Sequence, residues 1–428
     1  MNKRTSNLTQ VRAVHTLIVG VDIAKKAHWA RMLDGRMGIE VDTAFKFKNN
    51  TEGFARLLGR MSRARERIGA EKIVVAMEPS GHYWKPLAGY LSRAEITVVI
   101  VNPYHVKKQK ELDDNSPTKN DRKDALIIAT LTWEGRFSRC CLPKGIWAEL
   151  RGYTQSRWQQ KRKLNATLNN LAAILDEYFP EYPEVFKDLL GKASMHILAC
   201  LPFPADITKL TEEELARELK TASSGRVGKK RAALLLSKAR ESIGVREGLT
   251  AARLRLAHCL AEISFWQEQL AQTEAAMADT LAFTGLADNL LSIKGVGMVT
   301  AASFLGEVGD LTRYEDWRQI RKLAGFNLTE SSSGSRKGKT GISKRGRPGL
   351  RNLLYQAALI LVAKNPQFKA LYQHLRTRRE NPLKGKQALV VIACKLLRVM
   401  FTLVKENRLY DPKKVLGVYR QQQLKCAA

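Results

Sequence analysis

Two apolar runs near the start of the chain each end on a carboxylate: Leu17-Ile18-Val19-Gly20-Val21 on Asp22, and Ile73-Val74-Val75-Ala76-Met77 on Glu78. Runs of this length and β-branched content read as buried strands, and a strand tolerates a buried carboxylate only where its charge is compensated. Two more acids stand in Thr118-Lys119-Asn120-Asp121-Arg122-Lys123-Asp124-Ala125, where the apolar run Leu126, Ile127, Ile128, Leu131 begins. If that run is helical, Asp121 and Asp124 share one face. Taken alone, the stretch is equally well an ordinary hydrated first turn. The two strand acids upstream shift the balance towards a site.

The intervening chain gives the order of elements. Ala30 to Leu33 and Val41 to Phe47 read as two further strands, and Asn50 or Thr51 caps a helix whose Phe54, Leu57, Leu58 and Met61 repeat at helical spacing. Pro79-Ser80-Gly81 breaks the chain after Glu78, Trp84, Leu87, Ala88 and Leu91 mark a second helix, and Ile96 to Val101 a fifth strand ending at Asn102-Pro103. Three strands, helix, strand, helix, strand, helix is the order of an α/β ribonuclease-H-like sheet, in which acids from strand one, the end of strand four and a later helix converge. Carboxylates remain ionised side by side only around cations, and hard Mg²⁺ or Mn²⁺ takes oxygen ligands. His82 is read as a structural histidine near a turn, and Asp113 and Asp114 as exposed acids in an Asn/Ser/Pro-rich loop.

From Leu142 the composition shifts to helix formers and charge. Leu164, Leu168, Leu171, Leu175 and Tyr178 follow heptad spacing, as do Leu256, Cys259, Ile263, Trp266, Leu270, Thr273 and Met277, so two long helices are expected to pair as an antiparallel stalk or dimerisation arm around a helical insert. Three regions are expected: 1–141, 142–285 as a helical or coiled-coil region, and a mostly α C-terminal domain at 286–428. In the last, Lys294-Gly295-Val296-Gly297 lies between helix signals, a hairpin whose bare backbone can approach phosphates. Between Ser335 and Gly349 lie Arg336, Lys337, Lys339, Lys344, Arg345 and Arg347 and no acid, a loop built to seek phosphates. A Ser/Gly linker is the competing reading, but strongly amphipathic helices follow at once.

The chain carries 72 Lys and Arg against 41 Asp and Glu, a formal charge of +31 over 428 residues, which favours a polyanion over a small-molecule substrate. No stretch stands out as a membrane span of roughly 18 apolar residues, the N-terminus leads into a strand and not a signal peptide, and a cytoplasmic, nucleoid-associated protein with no membrane partner is expected. The six cysteines are scattered, with neither zinc spacing nor a disulfide framework, and are read as reduced packing residues.

Taken together, Val19-Gly20-Val21-Asp22-Ile23-Ala24-Lys25, Met77-Glu78-Pro79-Ser80-Gly81, Asn102-Pro103, Lys119-Asn120-Asp121-Arg122-Lys123-Asp124-Ala125, Ile293-Lys294-Gly295-Val296-Gly297, Ala324-Gly325, Ser333-Gly334 and Ile342-Ser343-Lys344-Arg345-Gly346 stand in a specific order. In that order the chain resembles, over nearly its whole length, the bacterial insertion-sequence transposases with an N-terminal RuvC-like DEDD domain and a C-terminal serine-containing domain, whose studied members are guided by a bridge RNA. The resemblance implies a DNA transposase-recombinase acting on donor and target DNA, a homo-oligomer (dimer or tetramer), metal-binding acids at Asp22, Glu78, Asp121 and Asp124, and a nucleophile at Ser333. Two departures stand out. Asn120 replaces the threonine that family members often carry, and Ser331 the aromatic residue that often precedes the serine by two, which leaves Ser331 and Ser332 as rivals to Ser333. A RuvC-like endonuclease that uses metal and water alone, and a basic nucleic-acid-binding scaffold without catalysis, are the alternative functions.

The charge carries a first prediction. Affinity for duplex DNA should fall steeply with salt, each neutralised phosphate contributing about −0.9 to the log–log slope; an affinity flat between low and moderate salt would contradict it.

Overall fold

The computed structural model describes residues 14–113, 121–330 and 340–414, together with Asn7 and Gly338. Two compact units, Met1–Leu142 and Pro143–Ala428, make up the chain.

The first unit is a sheet of six strands with helices on it. Its elements run β1 (Thr16–Asp22), β2 (Ala27–Asp34), β3 (Glu40–Lys48), α1 (Thr51–Ile68), β4 (Lys72–Met77), α2 (Trp84–Arg93), β5 (Thr97–Val101), α3 (Pro103–Asp113), α4 (Asp121–Trp133) and β6 (Phe137–Arg139). The sheet order is β3-β2-β1-β4-β5-β6. β1, β4 and β5 are parallel, and β3, β2 and β6 run antiparallel to their neighbours. Asn50 caps α1 by accepting the Gly53 N–H, as its place before an apolar periodic run requires. One face of the sheet packs Phe54, Leu57 and Met61 of α1 and Leu87, Ala88 and Leu91 of α2. The other packs Ile127, Ile128, Ala129 and Leu131 of α4 and Val106 of α3 against Ile18, Val74, Ala76 and Val99.

Two elements go beyond the sequence reading. Asp113 ends helix α3 where a loop was expected, because Asn102 caps the helix by accepting the Tyr104 N–H and Pro103 stands at its first position. The edge strand β6 is too short to show a period.

The second unit is nearly all helical. Its helices are α5 (Ile146–Tyr178), α6 (Tyr182–Val185), α7 (Lys192–Cys200), α8 (Pro204–Ile207), α9 (Glu212–Ala222), α10 (Lys229–Arg240), α11 (Leu249–Phe283), α12 (Ala287–Leu291), α13 (Met298–Val308), α14 (Trp317–Ala324), α15 (Pro348–Lys364), α16 (Pro366–Thr377) and α17 (Gly385–Lys405), with a hairpin of β7 (Leu328–Glu330) and β8 (Thr340–Ile342) between α14 and α15. Helices α5 and α11 run antiparallel, joined by Arg157 to Glu274 at 2.7 Å, Gln160 to Thr273 at 3.0 Å and Thr167 to Glu262 at 2.9 Å. The insert between them shares one core with both helices, in which Phe179, Tyr182 and Phe203 pack with Leu171, Leu175, Leu256 and Ile263.

By length and composition α17 is apolar enough to cross a membrane, with a mean hydropathy of 1.9, contrary to the reading that no such stretch exists. Its Ala388, Ile392, Leu396 and Met400 are buried in the core with α13 and α15, which accounts for the apolar run as a core helix. The described cysteines, Cys140, Cys141, Cys200, Cys259 and Cys394, are free thiols, and burial pushes Cys140 and Cys394 up to about 11, which keeps both protonated at neutral pH. Cys426 lies outside the described residues.

The tightest constraint in the first unit is at Gly20, where a Cβ would stand 2.1 Å from the Ala125 carbonyl oxygen and 2.5 Å from the Ala129 nitrogen. Gly20→Val should therefore push α4 off β1 and destabilise this unit by about 3 kcal/mol or more, read as a lowered urea midpoint of the sheet; an unchanged midpoint would show that the helix does not sit where described.

Candidate functional site

Strand alternation sets the geometry of the acids. Asp22 ends β1 on the same face as Ile18 and Gly20, the face that α4 covers. Val21 pairs with Met77 in the parallel β1–β4 ladder, so Asp22 and Glu78 follow side by side at the carboxyl ends of neighbouring strands. Neighbouring strands lie about 4.8 Å apart, and the carboxyl edge is where open α/β sheets place ligands. Both side chains are half-buried, and Glu78 accepts the Ser80 hydroxyl at 3.1 Å.

The first turn of α4 supplies the third corner. Because Gly20 lets the Ala125 backbone rest on β1, Asp124, one residue before, is brought to the same edge region. It is 17% exposed and paired with the Lys110 ammonium of α3. Asp121 opens α4, and its side chain lies outside the described residues. Across from Asp22, Trp29 is its β2 partner, and the Arg122 guanidinium stands 4.7 Å over the Trp29 ring, with Lys46 at 5.8 Å. The Arg122 contact ties the first turn of α4 to β2. Trp29, Lys110 and Arg122 were not legible as site residues; only the Asn102-Pro103 helix start could have pointed to α3. His82 is exposed and stacks on Tyr83 with ring centroids 4.3 Å apart.

Among the described residues no group of three or more His, Cys, Asp or Glu side chains is close enough to hold a metal ion. The donors at this corner are nonetheless carboxylates alone, the hard oxygen set suited to Mg²⁺ or Mn²⁺. Asp124 already holds a cation in the Lys110 ammonium. By donor chemistry alone Asp22, Glu78 and Asp124 suit a divalent ion; their side chains do not close on a common point.

In the second unit the hairpin β7–β8, with Glu330 opposite Thr340, carries the serine stretch between its strands. Ser331, Ser332, Ser333, Arg336, Lys337 and Lys339 lie outside the described residues, and the frame around them is rigidly tied. The Lys344 N–H donates to the Gly325 carbonyl at 3.0 Å and the Ser343 N–H to that of Asn327 at 2.7 Å. Arg351 donates to the carbonyls of Ala324 and Lys344, and Arg321 to the Asn327 side chain. Gly325 caps α14 at a φ of +75°, and a Cβ on Gly346 would stand 2.3 Å from the Leu323 carbonyl oxygen.

Of the cations expected to meet phosphates, Lys294, Lys344 and Arg345 are exposed. Arg347 is not available in the same way: it donates to the Glu307 carbonyl and lies 3.9 Å from the Glu307 carboxylate, which also pairs with Arg151. A buried carboxylate at the start of α15 needs those guanidinium groups more than a phosphate does. Gly295 turns between α12 and α13 at a φ of +105°, and exposed Gly297 leads into α13, where no side chain caps the first N–H groups.

A sheet with acids at its carboxyl edge, in a strongly basic chain with a helical unit, fits a protein that acts on nucleic acid. A DEDD transposase model of the IS110 type matches residues 19–180, and the model for the "Transposase IS116/IS110/IS902 family" matches residues 287–373. The insertion element IS116 44.8 kDa protein of Streptomyces clavuligerus is 26% identical over 92% of this chain and 96% of its own. The insertion element IS110 43.6 kDa protein of Streptomyces coelicolor is 24% identical over 70% of this chain and 74% of its own, and the transposase for insertion sequence element IS1111A of Coxiella burnetii is 29% identical over 33% and 37%. The chain belongs to the IS110/IS116 family of insertion-sequence transposases.

The acid corner predicts that Asp22→Ala and Glu78→Ala leave the fold intact, since removing one of several neighbouring like charges relieves repulsion, and that Asp124→Ala does so too because the ion pair it breaks with Lys110 is partly exposed and contributes only about 1 kcal/mol. Thermal midpoints should stay within about 5 °C of the parent, the shift expected for about 1 kcal/mol, while strand transfer is lost; a variant that unfolds would mark that acid as structural.

Proposed function

We propose that this chain, a member of a transposase family, cuts and joins DNA through a serine nucleophile assisted by the four acids Asp22, Glu78, Asp121 and Asp124, which would hold Mg²⁺ or Mn²⁺. The observation behind the reading is that Asp22 and Glu78 follow neighbouring parallel strands at their carboxyl ends, while Gly20 seats the start of α4 on β1. Ser333 Oγ attacks a backbone phosphorus, a P–Oγ bond forms, the P–O bond to one sugar breaks, and that strand leaves as a free hydroxyl. Rejoining reverses the exchange: a DNA hydroxyl attacks the phosphoserine and the serine oxygen departs. A serine hydroxyl is weak until deprotonated or held near a cation. A bound divalent ion would supply charge stabilisation for the phosphoryl oxygens.

The remaining roles follow from charge and resemblance. Lys294, Gly295, Gly297, Lys344 and Arg345, with Arg336, Lys337 and Lys339 of the serine loop, contact phosphates. A guide RNA shares the basic surface with donor and target DNA. The α5–α11 helix pair, with Trp158 and Phe265 about half exposed, forms the contact of a homo-oligomer. The protein works in the bacterial cytoplasm at the nucleoid.

Ser333→Ala tests the reading on suicide DNA substrates. Cleavage and the covalent protein–DNA adduct should disappear while DNA binding persists, and Ser331→Ala and Ser332→Ala should leave adduct yield normal. Cleavage by Ser333→Ala with no adduct trapped from the parent would instead establish a water-based nuclease. RNA should copurify with the protein; RNA-free protein that is fully active and site-specific would remove the guide.

A further inference from the structure

The pair between Lys110 and Asp124 is set by packing. Lys110 stands one helical turn after Val106, which is buried against Ile127, Ile128 and Leu131 of α4, so the seating of α3 on α4 aims the lysine at the acid. The pair is partly withdrawn from water, with side chains 34% and 17% exposed. Asn102 caps α3 and holds its start on the sheet edge, so the ammonium is not on a freely moving chain. Under the reading above, a divalent ion needs the same carboxylate. An ammonium already paired with that carboxylate lowers its negative charge and repels an incoming divalent ion, more so in a partly desolvated corner than in bulk water.

We propose that Lys110 is an internal stand-in for the metal: it neutralises Asp124 in the metal-free protein and competes with the divalent cation for that carboxylate, setting the concentration at which the site loads. The proposal rests on Asp124 being a metal ligand. Lys110 is then a positioning and gating residue.

The test is a Mn²⁺ titration of the nuclease-treated, nucleic-acid-free full-length chain, with free Mn²⁺ followed by electron paramagnetic resonance. Lys110→Met should tighten Mn²⁺ binding about fivefold, the factor expected on removing a competing, partly exposed ion pair. Lys110→Arg, which keeps a cation on Asp124, should bind as the parent does. Lys107→Met removes an exposed charge from the same helix and should change the affinity less than twofold. Asp124→Asn should abolish the tight site. Equal affinities for Lys110→Met and Lys107→Met, or weaker binding by Lys110→Met, would overturn the proposal. If Asp124→Asn binds Mn²⁺ as the parent does, the metal assignment itself fails and the proposal with it. If Asp124→Asn loses the ion while Lys110→Met matches Lys107→Met, the assignment stands and only the competition is refuted.

Discussion

The first unit depends on the contact between two backbones at Gly20. Only a residue without a Cβ lets helix α4 lie against β1 at that distance, with the Ala125 carbonyl where a side chain would otherwise begin. Everything at the acid corner follows from it. The helix start, with Asp121 and Asp124, is carried to the carboxyl edge where Asp22 and Glu78 emerge from parallel neighbours. Helix α3 then packs on α4 through Val106 and delivers Lys110, while Arg122 closes over Trp29 on the other side. The acid site proposed above would thus be assembled by apolar packing, with Lys110 paired to one of its acids.

The second unit uses the same device for a different end. Gly346 and Gly325 let the chain fold back onto α14 so closely that the hairpin bearing the serine stretch begins and ends at a fixed place. Glu307 holds the other side of that frame by drawing in Arg151 and Arg347. The nucleophile proposed for this loop would gain from ends that do not move, and both ends are tied by backbone hydrogen bonds.

Much of this was legible in the residues, and the parts that were not share a cause. The strands that lead to Asp22 and Glu78 were visible because continuous apolar, β-branched runs, and the Pro79-Ser80-Gly81 break after the second, are local signals. The order of strands and helices, and the pairing of Leu164, Leu171 and Leu175 with the Leu256 to Met277 stripe, followed from periodicity. Lys110, Trp29 and Arg122 were invisible because their roles arise from which element lies on which, a matter of Gly20 and of a helix α3 announced only by Asn102-Pro103. Arg347 looked like its neighbours Lys344 and Arg345 in the sequence; its partner Glu307 lies forty residues away. Helix α17 was read as one of the amphipathic helices after the basic loop, yet its apolar run is long enough to cross a membrane and half of it is buried in the core.

The central claim is that the sheet edge gathers its acids around a divalent cation. Crystals of the full-length protein grown with Mn²⁺ and measured at the manganese absorption edge test it directly. An anomalous peak is expected within about 2.2 Å of carboxylate oxygens from Asp22, Glu78 and Asp124; a protein that shows no peak there, or binds the ion at another place, would contradict the account.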